Sequence, residues 1–146
     1  MDFRLDQVRI FSSLNGKALK FLARRARQSS WKALEVVVRE GELGDRLFIV
    51  EKGEVRACRN FAKAGEKELA RLGAGECFGE MCLLDTLPRS ATIQATRDST
   101  LYSLDTVALY ELHLQFPSQF GVLVLNLARE LSNRLRQLDK AFAAWQ

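Results

Sequence analysis

The spacing of apolar positions divides the chain into three textures. Over residues 3–30 they fall at helical spacing: "LDQVRIF" forms a short amphipathic turn. Leu19, Leu22, Ala23 and Ala26 then make a 3.6-residue stripe behind Asn15, a residue suited to capping the helix it precedes. From about 33 to 104 the pattern shortens to runs rich in β-branched and aromatic residues. "ALEVVVRE", "RLFIVEK", "EVRACRN", "KELARL", "SATIQAT" and "TLYSLD" read as strands, broken by "GELGD", "KG", "AKAG" and "GAGE". Short strands at this spacing, with no helices alternating between them, predict an antiparallel sandwich or jelly roll. Gly41, Gly44 and Gly53 fit tight turns needing positive φ around a buried strand 46–51. From residue 105 helical spacing returns. Asp105 is placed to cap "TVALYELHLQF", Pro117 ends it, and a long helix follows from about Ser118.

No repeat, low-complexity tract or linker interrupts this order. The expected architecture is one domain over 1–146, mainly β with flanking helices: N-terminal helices at 1–30, a β-roll at 31–104, and C-terminal helices at 105–146. In the long helix Val124, Ala128, Leu131, Leu135, Leu138, Phe142 and Trp145 recur at alternating intervals of four and three, with Arg129, Glu130, Arg134, Arg136 and Lys140 off that line. This is an a/d seam. Its first half can pack on the domain through Leu123 and Leu127, while the later half suits a parallel homodimer.

Composition narrows the picture. A chain of 146 residues supports a single sizeable core. Twenty-two Lys and Arg against 18 Asp and Glu give a net charge of +4, too mild to imply a nucleic-acid partner, and "ARRAR" at 23–27 reads as a solvated helix face. No stretch approaches a membrane span, and Asp2, Arg4 and Asp6 follow Met1 in place of a signal-like run, so a cytoplasmic chain without a membrane partner is expected. Cys58, Cys77 and Cys82 lack metal or scaffold spacing and read as small apolar residues in a reducing compartment. The single histidine, His113, lies in a helix. Cupin-type metal sites and nucleophile–histidine sets therefore cannot be assembled, and a non-enzyme without a metal is expected.

One segment resists the core reading. "FGEMCLLDTLPRSATIQA" (78–95) is largely apolar yet holds Glu80 and Arg89. Gly79 stands before "EMCLL", which has the composition of one helical turn, so unobstructed backbone N–H groups there would favour an anion. The planar fork of Arg89 can meet two phosphate oxygens at once. Glu80 only accepts, so it serves a neighbouring hydroxyl such as a ribose 2′-OH, or it pairs with Arg89.

This segment resembles the phosphate-binding cassette of the cyclic nucleotide-binding domain family, which runs Phe-Gly-Glu, two variable residues, Leu, then (Pro/Glu)-Arg-(Ala/Ser/Thr)-Ala. "EGELGDRLFIVEKGEV" is similar to that family's upstream glycine turn and strand, and the likeness extends over nearly the whole chain. The resemblance implies a cassette over 78–92 binding cAMP or cGMP and no prosthetic group, within a non-catalytic sensor that signals through its C-terminal helix. Glu80 and the Gly79 amide would hold the ribose, and Arg89 the cyclic phosphate. Ser90 and the amides near Cys82 and Leu83 would complete the cradle, with Phe78, Met81 and Ala91 also in the site. Thr86 and Asp85 depart from the commonest pattern, and Asp85 adds negative charge near the anion site. Ser90 is compatible with both nucleotides, and the resemblance favours cAMP. In catabolite-activator-type regulators the long helix forms a homodimer and covers the purine, which places Asn133, Arg134 and Leu135 near the base. Those regulators continue into a DNA-binding domain. None is expected within these residues, so the resemblance implies a sensor that works through a separate effector, if one exists. The alternative is a degenerate member acting only as a dimerisation or interaction module.

Overall fold

The computed structural model describes residues 4–80 and 87–144. Two 3₁₀ turns, Leu5–Gln7 and Arg9–Phe11, lead to helix α1 (Gly16–Arg25). Asn15 caps α1 as expected, its side chain accepting from the Ala18 N–H at 2.9 Å. Leu22 and Ala18 are fully buried, and Leu19, Ala23 and Ala26 pack beside them. The helix ends at Arg25, and the chain enters strand β1 (Arg27–Trp31) directly, so the β-roll begins ahead of the expected boundary at 31. "ARRAR" is thus split between a helix end and a strand. Arg25 pairs with Glu111 instead of facing solvent alone.

The remaining strands are β2 (Val36–Val38), β3 (Arg46–Lys52), β4 (Glu54–Arg59), β5 (Lys67–Gly73), β6 (Cys77–Phe78), β7 (Thr92–Ala95) and β8 (Ser99–Asp105). They form two four-stranded sheets, ordered β1-β8-β3-β6 and β2-β7-β4-β5, and every pair is antiparallel. This is the jelly-roll architecture expected. Gly53 turns β3 into β4 with φ of 94°, and a Cβ there would sit 2.6 Å from the Asp98 carbonyl oxygen. A side chain is excluded on both counts.

The near-continuous apolar run of β3 follows from burial on both faces. Leu47 and Ile49 join Tyr102 and Leu104 against the helices, while Phe48 and Val50 meet Val55, Phe78, Ile93 and Leu101 between the sheets. Asp105 caps helix α2 (Thr106–Gln115), its side chain accepting from the Ala108 N–H at 2.8 Å. Pro117 then opens helix α3 (Pro117–Ala144), where its missing N–H costs nothing. Leu123 and Leu127 of α3 are buried, and the Asn126 amide donates to the carbonyls of Ile10 (3.0 Å) and Ser12 (2.7 Å). The seam residues Leu135, Leu138 and Phe142 are 62, 65 and 70% exposed.

Candidate functional site

Strand β6 is short but well fixed: Phe78 stands opposite Phe48 of β3, and their rings stack at 5.0 Å. Gly79 follows with φ of 83°, a conformation that favours glycine, and turns the chain so that Glu80 points inward. Glu80 is 3% exposed. Burying a carboxylate so deeply requires a cation, and that cation is Arg134 of α3, whose guanidinium pairs with Glu80 and also donates to the Cys77 carbonyl at 3.2 Å. Arg134 in turn lies 3.7 Å from Glu130, and Glu130 lies 4.0 Å from Arg9. The sequence reading offered a ribose hydroxyl or Arg89 as the partner of Glu80. The partner here is Arg134, the arginine that the resemblance places near the base.

Arg89 is held separately. Its backbone N–H donates to the Glu42 carbonyl at 2.7 Å and its carbonyl accepts from Gly41 at 2.8 Å, which ties it to the loop before β3. The guanidinium donates to the Arg46 carbonyl at 3.1 Å and lies 5.9 Å from the centre of the Phe48 ring. Two glycines clear its path. A Cβ on Gly44 would fall 2.5 Å from Nε of Arg89, and one on Gly79 would also strike the guanidinium. Gly41 has the positive φ expected of a turn, at 90°, but Gly44 does not, so its role is clearance and not turn geometry. Among the described residues no carboxylate is ion-paired with Arg89. Asp45 is nearby, but its carboxyl is held below the ordinary range mainly by a hydrogen bond from Arg46, with Arg89 a minor contributor.

These groups border a cavity of about 780 Å³. Gly44, Phe78, Gly79, Glu80, Arg89, Ser90 and Ala91 line one end. Arg71 and Leu72 of β5, with Val38, Ala57 and Ile93, form a side wall, and Asn133, Arg134, Arg136, Gln137 and Lys140 of α3 form another. Leu135 does not line it. One residue on from Arg134, it lies on the seam side of α3 and is exposed. Met81, Cys82 and Leu83, with Asp85 and Thr86, lie outside the described residues, as does the short helix that would present backbone N–H groups. The cavity also takes in Arg71 and Gln137, and Gly44, Glu130 and Lys140, for which the sequence suggests only a turn or an off-seam position. For Gln137 and Lys140 a signal existed, since they recur with Asn133 and Arg136 on one helical face.

Cys77 lies beside Glu80, and burial pushes its thiol up to about 12. His113 sits on α2, its ring 4.9 Å from Phe120, and does not line the cavity. Among the described residues no cluster of histidines, cysteines or carboxylates is arranged to hold a metal ion, and no helix is long and apolar enough to cross a membrane.

The fold agrees with what comparison finds. Residues 28–116 match the family model described as the cyclic nucleotide-binding domain, and the chain belongs to that family. It is 40% identical over 100 residues, 68% of its length, to the cyclic AMP receptor protein of Thermus thermophilus, covering 44% of that protein. It is 35% identical over 85 residues to a cAMP-dependent protein kinase regulatory subunit of Blastocladiella emersonii, covering 58% of this chain and 21% of that one. The chain therefore spans less than half the length of these curated relatives. A cyclic nucleotide-binding domain from Methylobacillus flagellatus superposes with a TM-score of 0.85 over 97% of this chain and 84% of that one, at 23% identity, and so shares the fold.

Proposed function

We propose that the cavity takes cAMP in preference to cGMP and that the chain acts as a non-catalytic cytoplasmic sensor, signalling through α3 to a partner. The observation that carries this reading is Arg89: a guanidinium between two sheets with no carboxylate partner among the described residues, held against two glycines where a side chain would displace it. Such a group is poised for a doubly bonded oxyanion, and a cyclic phosphate supplies one. Glu80 accepts the ribose 2′-OH, Ser90 stands beside the phosphate, and Asn133 lies along the wall that would face the base. The preference for cAMP rests on the relatives named for it and not on Ser90, which suits either base.

Signalling follows from the pair at the cavity edge. Arg134 belongs to α3 and Glu80 to the cassette, so a ligand that shares Glu80 alters the contact holding the distal half of α3. The exposed seam of that half is the surface on which a second copy would pack. One feature favours the alternative of an interaction module that needs no ligand: Glu80 is already satisfied by Arg134.

Isothermal titration of nucleotide-free protein with cAMP and cGMP separates the two readings. Submillimolar binding with cAMP tighter is expected. Absence of heat from both, with the protein folded, establishes the module instead.

A further inference from the structure

Arg89 borders a second cavity. On its far side a space of about 440 Å³ opens at the end of the inter-sheet core, within the span of about 300–1,000 Å³ usual for small-molecule sites. Strand register explains its walls. Arg27 pairs with Ser103, and Ser103 with Phe48, so these three form one row across β1, β8 and β3 on the face turned towards β2. Ser29 and Trp31 alternate with Arg27 on the same side of β1, and Arg46 lies two residues from Phe48. Val37 and Val38 of β2 and Leu43 of the following loop face them.

The chemistry of this lining is unlike that of the rest of the core. Trp31 offers planar apolar surface at the rim, with Phe48 and the Arg89 guanidinium over its ring at the floor, and the Trp31 indole N–H is satisfied by Ser29 at 2.9 Å. Three arginines, Arg27, Arg46 and Arg89, outnumber Glu42 and Asp45, and Asp45 is already engaged by Arg46 at 3.0 Å. Arg27 has no ion-pair partner among the described residues. A group that suits an aromatic wall and an uncommitted guanidinium together is a flat, singly charged aromatic anion.

We infer that this cavity is a second ligand site, behind the phosphate-binding arginine, for a small planar aromatic carboxylate or sulfonate. The site stands on its own walls. Its effect on the first cavity rests on the function proposed above, because Arg89 lines both. An anion drawing Arg89 backwards competes with the cyclic phosphate, so the two ligands weaken each other by the same factor.

Naphthalene-2-sulfonate is the probe, added to the full chain by isothermal titration. One molecule per chain at submillimolar concentration is expected. Arg27→Glu, and the milder Arg27→Met, should weaken it about tenfold or more while leaving the melting temperature near that of the parent protein. Binding indifferent to both substitutions would mark an adventitious additive only, seated on the exposed seam of α3, and would overturn the site. So would the absence of heat at several millimolar. Where the site binds as expected, saturating sulfonate should raise the cAMP dissociation constant, and saturating cAMP that of the sulfonate. Equal cAMP affinity with and without sulfonate would overturn the shared-arginine coupling. Arg27-dependent sulfonate binding in a protein that takes no cyclic nucleotide would leave this site standing and remove the proposed function.

Discussion

Arg134 of α3 and Glu80 at the end of β6 are ion-paired across the cavity although 54 residues separate them in the chain. Glu80 has almost no contact with water, and Arg134 is its ion-pair partner among the described residues. Together with the Arg134 bond to the Cys77 carbonyl, the pair ties the end of β6 to α3.

Replacing Arg134 by alanine leaves that buried carboxylate without its ion-pair partner among the described residues. Breaking a buried pair costs about 3–5 kcal/mol. The Arg134 side chain is 37% exposed, so water already screens it, and a loss of about 1–2 kcal/mol in urea unfolding is expected. Adding Glu80→Gln should recover much of this, since an amide tolerates isolation better than a carboxylate. In the single variant, amide exchange over the distal half of α3 should quicken. Unchanged exchange there would show that the pair does not dock the helix.

Gly44 should matter only through Arg89. Gly44→Ala pushes a methyl group into the guanidinium while its backbone, which lacks a positive φ, is not strained. Nucleotide affinity should fall sharply with little change in melting temperature. Arg89→Ala should weaken binding by about 2–5 kcal/mol, or roughly 30- to several-thousand-fold. Once Arg89 is alanine, adding Gly44→Ala should cost almost nothing further. An additive effect would show that the clearance between these residues is irrelevant.

Alkaline stability reports on Cys77. Its folded thiol titrates at about 12, against an ordinary value of 9.0, because burial opposes the thiolate. Above pH 9 the unfolded chain releases a proton that the folded chain keeps, so stability falls as pH rises from 9 towards 12 and is fully present below 9. Between pH 8 and 10 this one group removes on the order of 1 kcal/mol. The urea midpoint should drop less over that interval in Cys77→Ala, and an unaltered drop would assign the effect elsewhere.

The seam of α3 can be tested without disturbing the core. Leu135 and Leu138 are well over half exposed, so Leu135→Asp and Leu138→Glu should leave the melting temperature of the isolated domain nearly unchanged. Sedimentation velocity should show the parent protein dimeric and the double variant monomeric. A parent protein monomeric at all concentrations would end the homodimer reading.

Much of the roll was legible because glycines mark its turns: β3, β4 and β5 fall where short apolar-rich runs lie between glycine breakers, and β8 coincides with "TLYSLD". The caps Asn15 and Asp105 were legible for a local reason, a side chain reaching an N–H three residues on. Strand β1 was not, because its inward row is Arg27, Ser29 and Trp31, which line a polar cavity and so lack the apolar alternation of a core strand. Strand β6 is two residues long and has no period to detect. In the site, Glu80 and Arg89 were identifiable as charges in an apolar run. The Glu80–Arg134 partnership and the clearance at Gly44 depend on how distant segments meet, which no local spacing encodes.

The Asn126 side chain, hydrogen-bonded to Ile10 and Ser12, makes α3 a lever with a fixed fulcrum. Eighteen residues run from that anchor to Ala144, an arm of roughly 27 Å at 1.5 Å per residue. Arg134 lies eight residues along it, so a tilt of about 10° moves Arg134 by roughly 2 Å and the far end by roughly 5 Å. A shift at Arg134 no larger than the length of one hydrogen bond is thus about doubled at Phe142.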